Sequence, residues 1–156
     1  MQLPIVNHPD YVAKINDDNK FPIKKFGALA KYLLEFGVVK KFHTPQECSI
    51  DTMRTSHSLE YINHIKNKTL DIKAQKKIGF PINDSVVRRS FVATGGTVLA
   101  SKLALDYKLA CNTAGGSHHA TFNFGAGYCV FNDVAVAANY LKNKGYAKKI
   151  LILDLD

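Results

Sequence analysis

The sequence predicts an α/β fold of three layers, in which helices cover both faces of a mostly parallel sheet. Three observations support this prediction. The 156 residues have the length of one domain. Helical apolar patterns alternate with short strand-like runs. Residues 150–153 form the continuous apolar run ILIL, which is typical of a parallel strand covered on both faces.

Three of the predicted helices follow from apolar spacing and from the residues at their ends. The first lies in FPIKKFGALAKYLLEFG, with Pro22 in its first turn and Gly37 after its last residue. The second, SLEYINHIKNK, is shorter. The third, VAVAANYLKNK, has Asn132 or Asp133 as its N-cap and ends at Gly145.

The longest helical pattern is DSVVRRSFVATGGTVLASKLALDYK, with Asp84 or Ser85 as its cap. Gly95 and Gly96 lie in its middle, where each glycine costs a helix about 1 kcal/mol relative to alanine. Either close packing against a neighbouring element offsets this cost, or the helix breaks at this point.

Two strands are predicted, in KLACNTA and in ILILDLD. Asp154 and Asp156 belong to the second, and because side chains alternate along a strand, both leave the same face. Ligands of open parallel sheets bind beyond the carboxyl ends of the strands. This D-x-D is therefore either the start of a metal site or a pair of acids at a solvated strand end.

Composition excludes several classes of protein. The net charge of +8 comes from short, scattered basic pairs, which favours a solvated surface over a nucleic-acid interface. No stretch has the roughly 20 apolar residues of a membrane span, and the N-terminus does not resemble a signal peptide. A cytoplasmic location is expected. Cys48, Cys111 and Cys129 include no CxxC pair, so we expect reduced thiols, at least partly buried.

Two adjacent histidines, His118 and His119, follow a glycine pair in AGGSHHATFNFGAGYCVFND. Adjacent side chains of a regular strand point to opposite faces, so cooperating imidazoles need the irregular backbone that Gly115 and Gly116 permit. Paired imidazoles suit proton transfer beside a metal-bound water. From the pair alone, one core histidine beside an exposed one is the simpler interpretation.

The G-x-G of Gly125 and Gly127 does not indicate a dinucleotide site. A third glycine would fall at Val130, and no clear strand precedes the segment.

Three motifs carry a resemblance to a known family: NTAGGSHHA, GAGYCVFNDVAVAA and ILILDLD. In order and spacing they resemble the histone deacetylase and acetoin-utilisation deacetylase superfamily, and in detail its class IV, bacterial-type branch. The earlier segments NHPDYV, KFPIKKF, IGFP and RRSFVATGGTVLA resemble the same branch. The resemblance implies an arginase/deacetylase-like αβα fold, of which residues 1–156 would be the N-terminal portion of a single, truncated deacetylase domain.

The resemblance also implies a role for each matching residue of the site. His118 and His119 match the family's tandem catalytic histidines. Asp154 matches a buried aspartate that orients the first histidine and helps to hold a monovalent cation. Asp156 matches the first zinc ligand.

Within residues 127–133, the resemblance implies residues that line a substrate tunnel, followed by a structural pair. Gly127 and Tyr128 match the glycine and the aromatic residue that line the acyl-lysine tunnel, and Cys129 matches a residue near its inner end. Asn132 and Asp133 are assigned to the helix cap rather than to catalysis. The implied reaction is zinc-dependent hydrolysis of an acylated lysine or of a small acylated amine.

Three parts of the family's site are expected beyond Asp156: a histidine ligand two residues on, a later aspartate ligand, and a tyrosine that donates to the oxyanion. Residues 1–156 then hold one of the three protein ligands that a catalytic zinc needs, and the chain alone is expected to be inactive. A complementary C-terminal polypeptide is an implied partner. The alternative function is a non-catalytic remnant or binding module of the same fold.

Three other histidines, His43, His57 and His64, are interpreted as surface or helix-end residues rather than as substitute ligands. Asn19 and Lys20 stand where the branch usually has His-Arg, which is a departure from the family pattern. An unrelated metal hydrolase that uses D-x-D with His-His is a further hypothesis, although it leaves GYCVFND without a purpose.

Overall fold

The computed structural model describes residues 3–156, which contain two short strands and six α-helices. The strands are β1 (Ile5–Val6) and β2 (Cys111–Asn112), and a 3₁₀ helix, Pro9–Tyr11, follows β1. The helices are α1 (Lys25–Glu35), α2 (Ile50–Met53), α3 (Leu59–Lys66), α4 (Ile72–Ile78), α5 (Asp84–Tyr107) and α6 (Asp133–Asn143). None of the helices in this range combines the length and the apolar character needed to cross a membrane.

The two strands form a parallel sheet. Ile5 lies opposite Cys111 and Val6 opposite Asn112. Parallel strands need a long crossover, and here α1 to α5 lie between them in the chain. α5 packs against both strands and against α6, so it is the central element of the structure. β2 confirms the strand predicted in KLACNTA, whereas β1 is too short for its sequence to show alternation.

α5 runs without a break through Gly95 and Gly96, because both glycines lie against other parts of the chain. A Cβ atom at Gly95 would lie 2.1 Å from the backbone oxygen of Gln46. A Cβ atom at Gly96 would lie 2.0 Å from the hydroxyl oxygen of Tyr11. The close-packing alternative is therefore correct, and packing offsets the cost of two glycines within a helix.

Polar residues cap the helices that carry the core. The side chains of Ser58, Asn83 and Asn132 accept backbone N–H bonds at the starts of α3, α5 and α6. Such a cap contributes about 1 kcal/mol. The expected cap of α5, Asp84 or Ser85, is wrong, since both residues lie inside the helix. α2 and α4, with 4 and 7 residues, are too short to be recognised by periodicity.

His57 lies in the core, so its interpretation as a surface or helix-end residue is wrong. It is 1% exposed, and its ring packs on Phe131 with centroids 5.2 Å apart. Its Nε2 accepts the backbone N–H of Asn132 at 2.9 Å. Burial lowers the pKa of His57, which favours the neutral ring that can act as this acceptor.

His43, His64, Cys48 and Cys129 match expectation, whereas Cys111 does not have the partial burial expected of the thiols. His43 is exposed, and His64 is half-buried in the last turn of α3. All three cysteines are free: Cys48 and Cys129 are buried, and Cys111 is exposed.

Residues 150–153 do not form the buried parallel strand that the sequence predicts. The segment has no regular secondary structure and pairs with no strand in residues 3–156. Leu151 is 88% exposed and Leu153 is 76% exposed. A buried strand needs a hydrogen-bonded neighbour and covering helices, and the described residues provide neither for this segment.

Candidate active site

The histidine loop, residues 113–121, directly follows β2. It therefore leaves the carboxyl end of a parallel strand, where α/β sheets place their ligands. Gly116 has φ +94°, the irregular backbone expected before the two histidines. The Nε2 atoms of His118 and His119 lie 3.0 Å apart, and their ring centroids 4.1 Å apart.

Neither histidine of the pair is a core residue. The side chain of His118 is 29% exposed, and His119 is exposed. The interpretation of one buried structural histidine beside an exposed one does not describe this loop. Both rings turn toward a common point that solvent can reach.

The C-terminal acids lie at that same point. His118 Nδ1 lies 2.6 Å from Asp154 Oδ2, and His118 Nε2 lies 3.5 Å from Asp156 Oδ2. The backbone N–H of Asp156 donates to Asp154 Oδ1 at 3.1 Å. The resemblance implies a buried aspartate at position 154, but the side chain of Asp154 is 48% exposed here.

These groups form a donor set that fits a divalent metal ion. His118, His119 and Asp156 each offer one ligand atom, and the three atoms lie within 4.8 Å of one another. Imidazole nitrogen and carboxylate oxygen are both ligands of zinc. The donor types present therefore fit zinc, although the resemblance assigns only Asp156 of these three residues to the metal.

Gly127 lies against the second histidine. Its φ is +52°, and a Cβ atom there would lie 2.8 Å from His119 Cδ2. Only glycine allows both this backbone conformation and this approach. The carbonyl oxygen of Gly127 is 3.5 Å from Cys129 Sγ, and burial raises the pKa of that thiol. Of the three predicted tunnel residues, Gly127 therefore lies directly against the histidine loop, and Cys129 contacts Gly127.

Tyr128 belongs to an aromatic cluster beside the loop. Its ring centroid lies 5.0 Å from that of Phe21 and 5.4 Å from that of Phe80. Its backbone has φ +64°, which is uncommon outside glycine, and its N–H donates to Ile78 O at 2.6 Å. Strained backbone of this kind is found preferentially at functional sites.

Asn132 has the capping role predicted for it and also binds the histidine loop. Its Oδ1 accepts the N–H of Ala135 at 2.9 Å. Its Nδ2 donates to the carbonyl oxygens of His118 at 3.3 Å and of Ala120 at 3.1 Å. The start of α6 is therefore tied to the backbone on both sides of His119.

Asp133 does not act as the cap, contrary to the assignment of the pair. It is 2% exposed, and its carboxylate accepts the backbone N–H groups of Gly116 and Ser117 at 3.1 and 2.7 Å. It also accepts a bond from the hydroxyl of Thr97 on α5.

Sequence reasoning missed three contributors to the loop's surroundings: the carboxylate of Asp133, the hydroxyl of Thr97 and the ring of His57. Only one residue can be the N-cap of a helix, so one member of the Asn132–Asp133 pair had to have another role. The sequence contains no other indication of the role of Asp133. Thr97 donates to Asp133 and His57 accepts the N–H of Asn132, and no local pattern indicates either tertiary contact.

A family model identifies the family, and two relatives are similar to the chain. Residues 20–156 match the family model described as "Histone deacetylase domain". An uncharacterized protein of Picosynechococcus sp. is 43% identical over 158 residues, which cover 100% of this chain and 53% of that protein. The acetoin utilization protein AcuC of Staphylococcus aureus is 31% identical over 124 residues, which cover 72% of this chain and 31% of AcuC. The chain belongs to the histone deacetylase family, within a superfamily that includes the acetoin utilization proteins.

The fold prediction is confirmed by a solved structure as well. An HDAC homolog crystallised in complex with SAHA has a TM-score of 0.76 at 21% identity, over 94% of this chain and 42% of that one. The chain spans about half the length of the first relative and about a third of AcuC. The roles of individual residues and the class IV branch stay predictions.

Proposed function

We propose that this chain carries the proton-transfer half of a zinc-dependent acyl-amine hydrolase. The observation that supports the proposal is the convergence of His118 with His119 on one side and with Asp154 on the other, at 3.0 and 2.6 Å. The family membership supports a deacetylase-type reaction. Residues 1–156 would then be the N-terminal portion of a single deacetylase domain.

The two imidazoles would share the proton transfers of amide hydrolysis. One accepts a proton from the attacking water, whose oxygen forms the new bond to the acyl carbon. The other donates a proton to the amine nitrogen as the C–N bond breaks. Asp154, bound at Nδ1 of His118, orients that ring and leaves its Nε2 facing His119 and Asp156.

Asp156 would hold the zinc ion, and Asp154 would help to hold a monovalent cation. Zinc, when bound, supplies a Lewis acid that polarises the acyl carbonyl and the water. His118 and His119 could also bind the metal, and a ring nitrogen that binds the metal cannot transfer a proton. The two histidines are therefore available for proton transfer only if other protein ligands complete the zinc site. In the proposed domain, a histidine, an aspartate and an oxyanion-binding tyrosine would supply what residues 1–156 do not.

The substrate would be an acylated lysine or a small acylated amine. Gly127 would accept the substrate's amide N–H through its carbonyl, and Tyr128 would pack on the alkyl stem. Cys129 would lie near the inner end of the tunnel. The position of Gly127 against His119 supports this assignment, since it brings the acceptor beside the proposed proton-transfer group.

The test is hydrolysis of a fluorogenic acetyl-lysine amide with added Zn²⁺, on residues 1–156 and on a version extended through the downstream reading frame. We expect activity in the extended version, with kcat lowered about 10²- to 10⁴-fold by His118→Ala or by His119→Ala. His64→Ala, at the end of α3, is the matched control and should leave kcat unchanged. Full activity of His118→Ala, or an extended version that binds zinc without hydrolysing the amide, would contradict the proposal.

A second candidate, a non-catalytic binding module that pairs with a complementary polypeptide, is favoured by one observation. Leu151, Leu153 and Leu155 are 88, 76 and 87% exposed, which is unusual for three apolar side chains within five residues. Co-expression with a polypeptide that carries the later motifs of the family separates the two candidates. Recovery of hydrolysis supports a split enzyme, whereas a stable but inactive complex supports the binding module.

A further inference from the structure

We propose that Asp133 is a positioning residue that holds the histidine loop in its productive conformation. This inference rests on the function proposed above for His118 and His119. It assigns a purpose to the Asn-Asp pair, which the proton-transfer chemistry does not use directly.

The carboxylate of Asp133 binds the backbone immediately before the first histidine. Oδ1 accepts the N–H of Ser117 at 2.7 Å, and Oδ2 accepts the N–H of Gly116 at 3.1 Å. Both N–H groups can only donate, so both oxygens act as acceptors. Bonds to a carboxylate are stronger than those between neutral groups, and a buried carboxylate without donors would be costly.

A chain of hydrogen bonds from three other elements ends at the same carboxylate. The Tyr11 hydroxyl donates to Asn112 Oδ1 at 2.9 Å, and Asn112 Nδ2 donates to Thr97 Oγ1 at 2.9 Å. The Thr97 hydroxyl then donates to Asp133 Oδ2. Every bond in this chain donates toward Asp133, so the 3₁₀ helix, β2 and α5 all fix the direction in which its oxygens face.

The loop is thus held on both sides of the histidine pair. Asp133 binds the N–H groups before His118, while Asn132 binds the carbonyl oxygens of His118 and Ala120. A displacement of about 1 Å at a reacting group can cost roughly 10²-fold in rate, so such an anchor matters for proton transfer. A capping role does not account for Asp133, because Asn132 makes the capping bond.

The experiment uses NMR on the 156-residue chain and needs no turnover. It measures the amide exchange rates of Gly116 and Ser117 and the NOE between the rings of His118 and His119. The variants are Asp133→Asn and the near-isosteric Thr97→Val, with Thr97→Ser as the conservative rescue. Ile65→Val, which removes one methyl group from the core of α3, controls for a general loss of stability.

We expect Asp133→Asn and Thr97→Val to raise both exchange rates about tenfold or more and to weaken the ring NOE. Thr97→Ser should restore both signals, and Ile65→Val should leave both as in the wild type. If Asp133→Asn does not fold, Thr97→Val alone decides the question. Wild-type exchange and NOE in Thr97→Val, or equal changes in Ile65→Val, would overturn the proposal.

These readouts are separate from the proposed reaction. An ordered loop, together with an extended version that binds zinc and never hydrolyses an acyl amine, would contradict the proposed function and leave the anchoring role intact. If the extended version is active and the order of the loop does not depend on Asp133, the proposed function stands and the anchoring role is wrong.

Discussion

The Nδ1 atom of His118 lies 2.6 Å from Oδ2 of Asp154, which joins the loop after β2 to the segment that ends at Asp156. This contact joins the histidine loop and the C-terminal D-x-D motif into one site. It gives one imidazole a fixed orientation, and it brings the second acid within 3.5 Å of the same ring. The contacts of Gly127, Asn132 and Asp133 then fix the other side of the loop.

Gly127→Ala should displace the ring of His119. Its Cβ atom would lie 2.8 Å from Cδ2 of that ring, and overpacking of this kind costs about 1–3 kcal/mol. Gly145→Ala is the matched control: Gly145 has φ +73°, and nothing lies within 4 Å of its Cβ position. Both variants carry the cost of a left-handed alanine, so the difference between their unfolding free energies reports the contact with His119. Equal losses of stability would contradict the close approach.

Gly96→Ala should destabilise the chain by about 1–3 kcal/mol in urea unfolding, because the new methyl group would meet the hydroxyl of Tyr11. Its control is Gly27→Ala in α1, where the Cβ atom would lie 3.2 Å from Val12 Cγ2. There the helical preference for alanine, worth about 1 kcal/mol, offsets a small adjustment. If Gly96→Ala is no less stable than Gly27→Ala, α5 does not pack as described.

His57 should make stability depend on pH. Burial lowers its pKa in the folded chain, so on acidification the unfolded chain takes up the proton first. The contribution of His57 to the free energy of unfolding is fully present above its unfolded pKa of about 6.5 and is lost as the pH falls toward its folded pKa.

The control variant is His57→Gln, in which the side-chain oxygen can still accept the N–H of Asn132 but no proton is bound in this range. Unfolding free energies measured between about pH 7.5 and 5.5 should fall more steeply in the wild type than in this variant. Parallel curves would show that His57 is not the group responsible.

The sequence predicts much of this fold because its local signals are strong. α3, α5 and α6 have apolar spacing and polar N-caps, α6 is also followed by Gly145, and β2 has a short apolar run. Gly95 and Gly96 left close packing and a helix break as alternatives, and only the contacts of the folded chain decide between them. α2, α4 and β1 lack such signals because they contain too few residues to show a period.

The remaining differences have tertiary causes. The apolar pattern of residues 150–153 predicts a buried strand, but burial depends on neighbours that the described residues do not provide. His57 is buried because Phe131 and Tyr61 surround it, which no local pattern shows. Asp133 was assigned to a cap because it lies at the start of a predicted helix. Its hydrogen-bond partners, the N–H groups of Gly116 and Ser117, are distant in sequence and are brought to it by the fold.

The most direct test of a single site built from the histidine loop and the C-terminal acids is the tautomeric state of His118. Long-range ¹H–¹⁵N correlation spectra of the neutral rings would be compared between the wild type and Asp154→Asn. We predict that Nδ1 carries the proton in the wild type, because Asp154 accepts a bond from it, and that Asp154→Asn changes this pattern. A proton on Nε2 of His118 in the wild type, together with an identical spectrum in Asp154→Asn, would contradict the account.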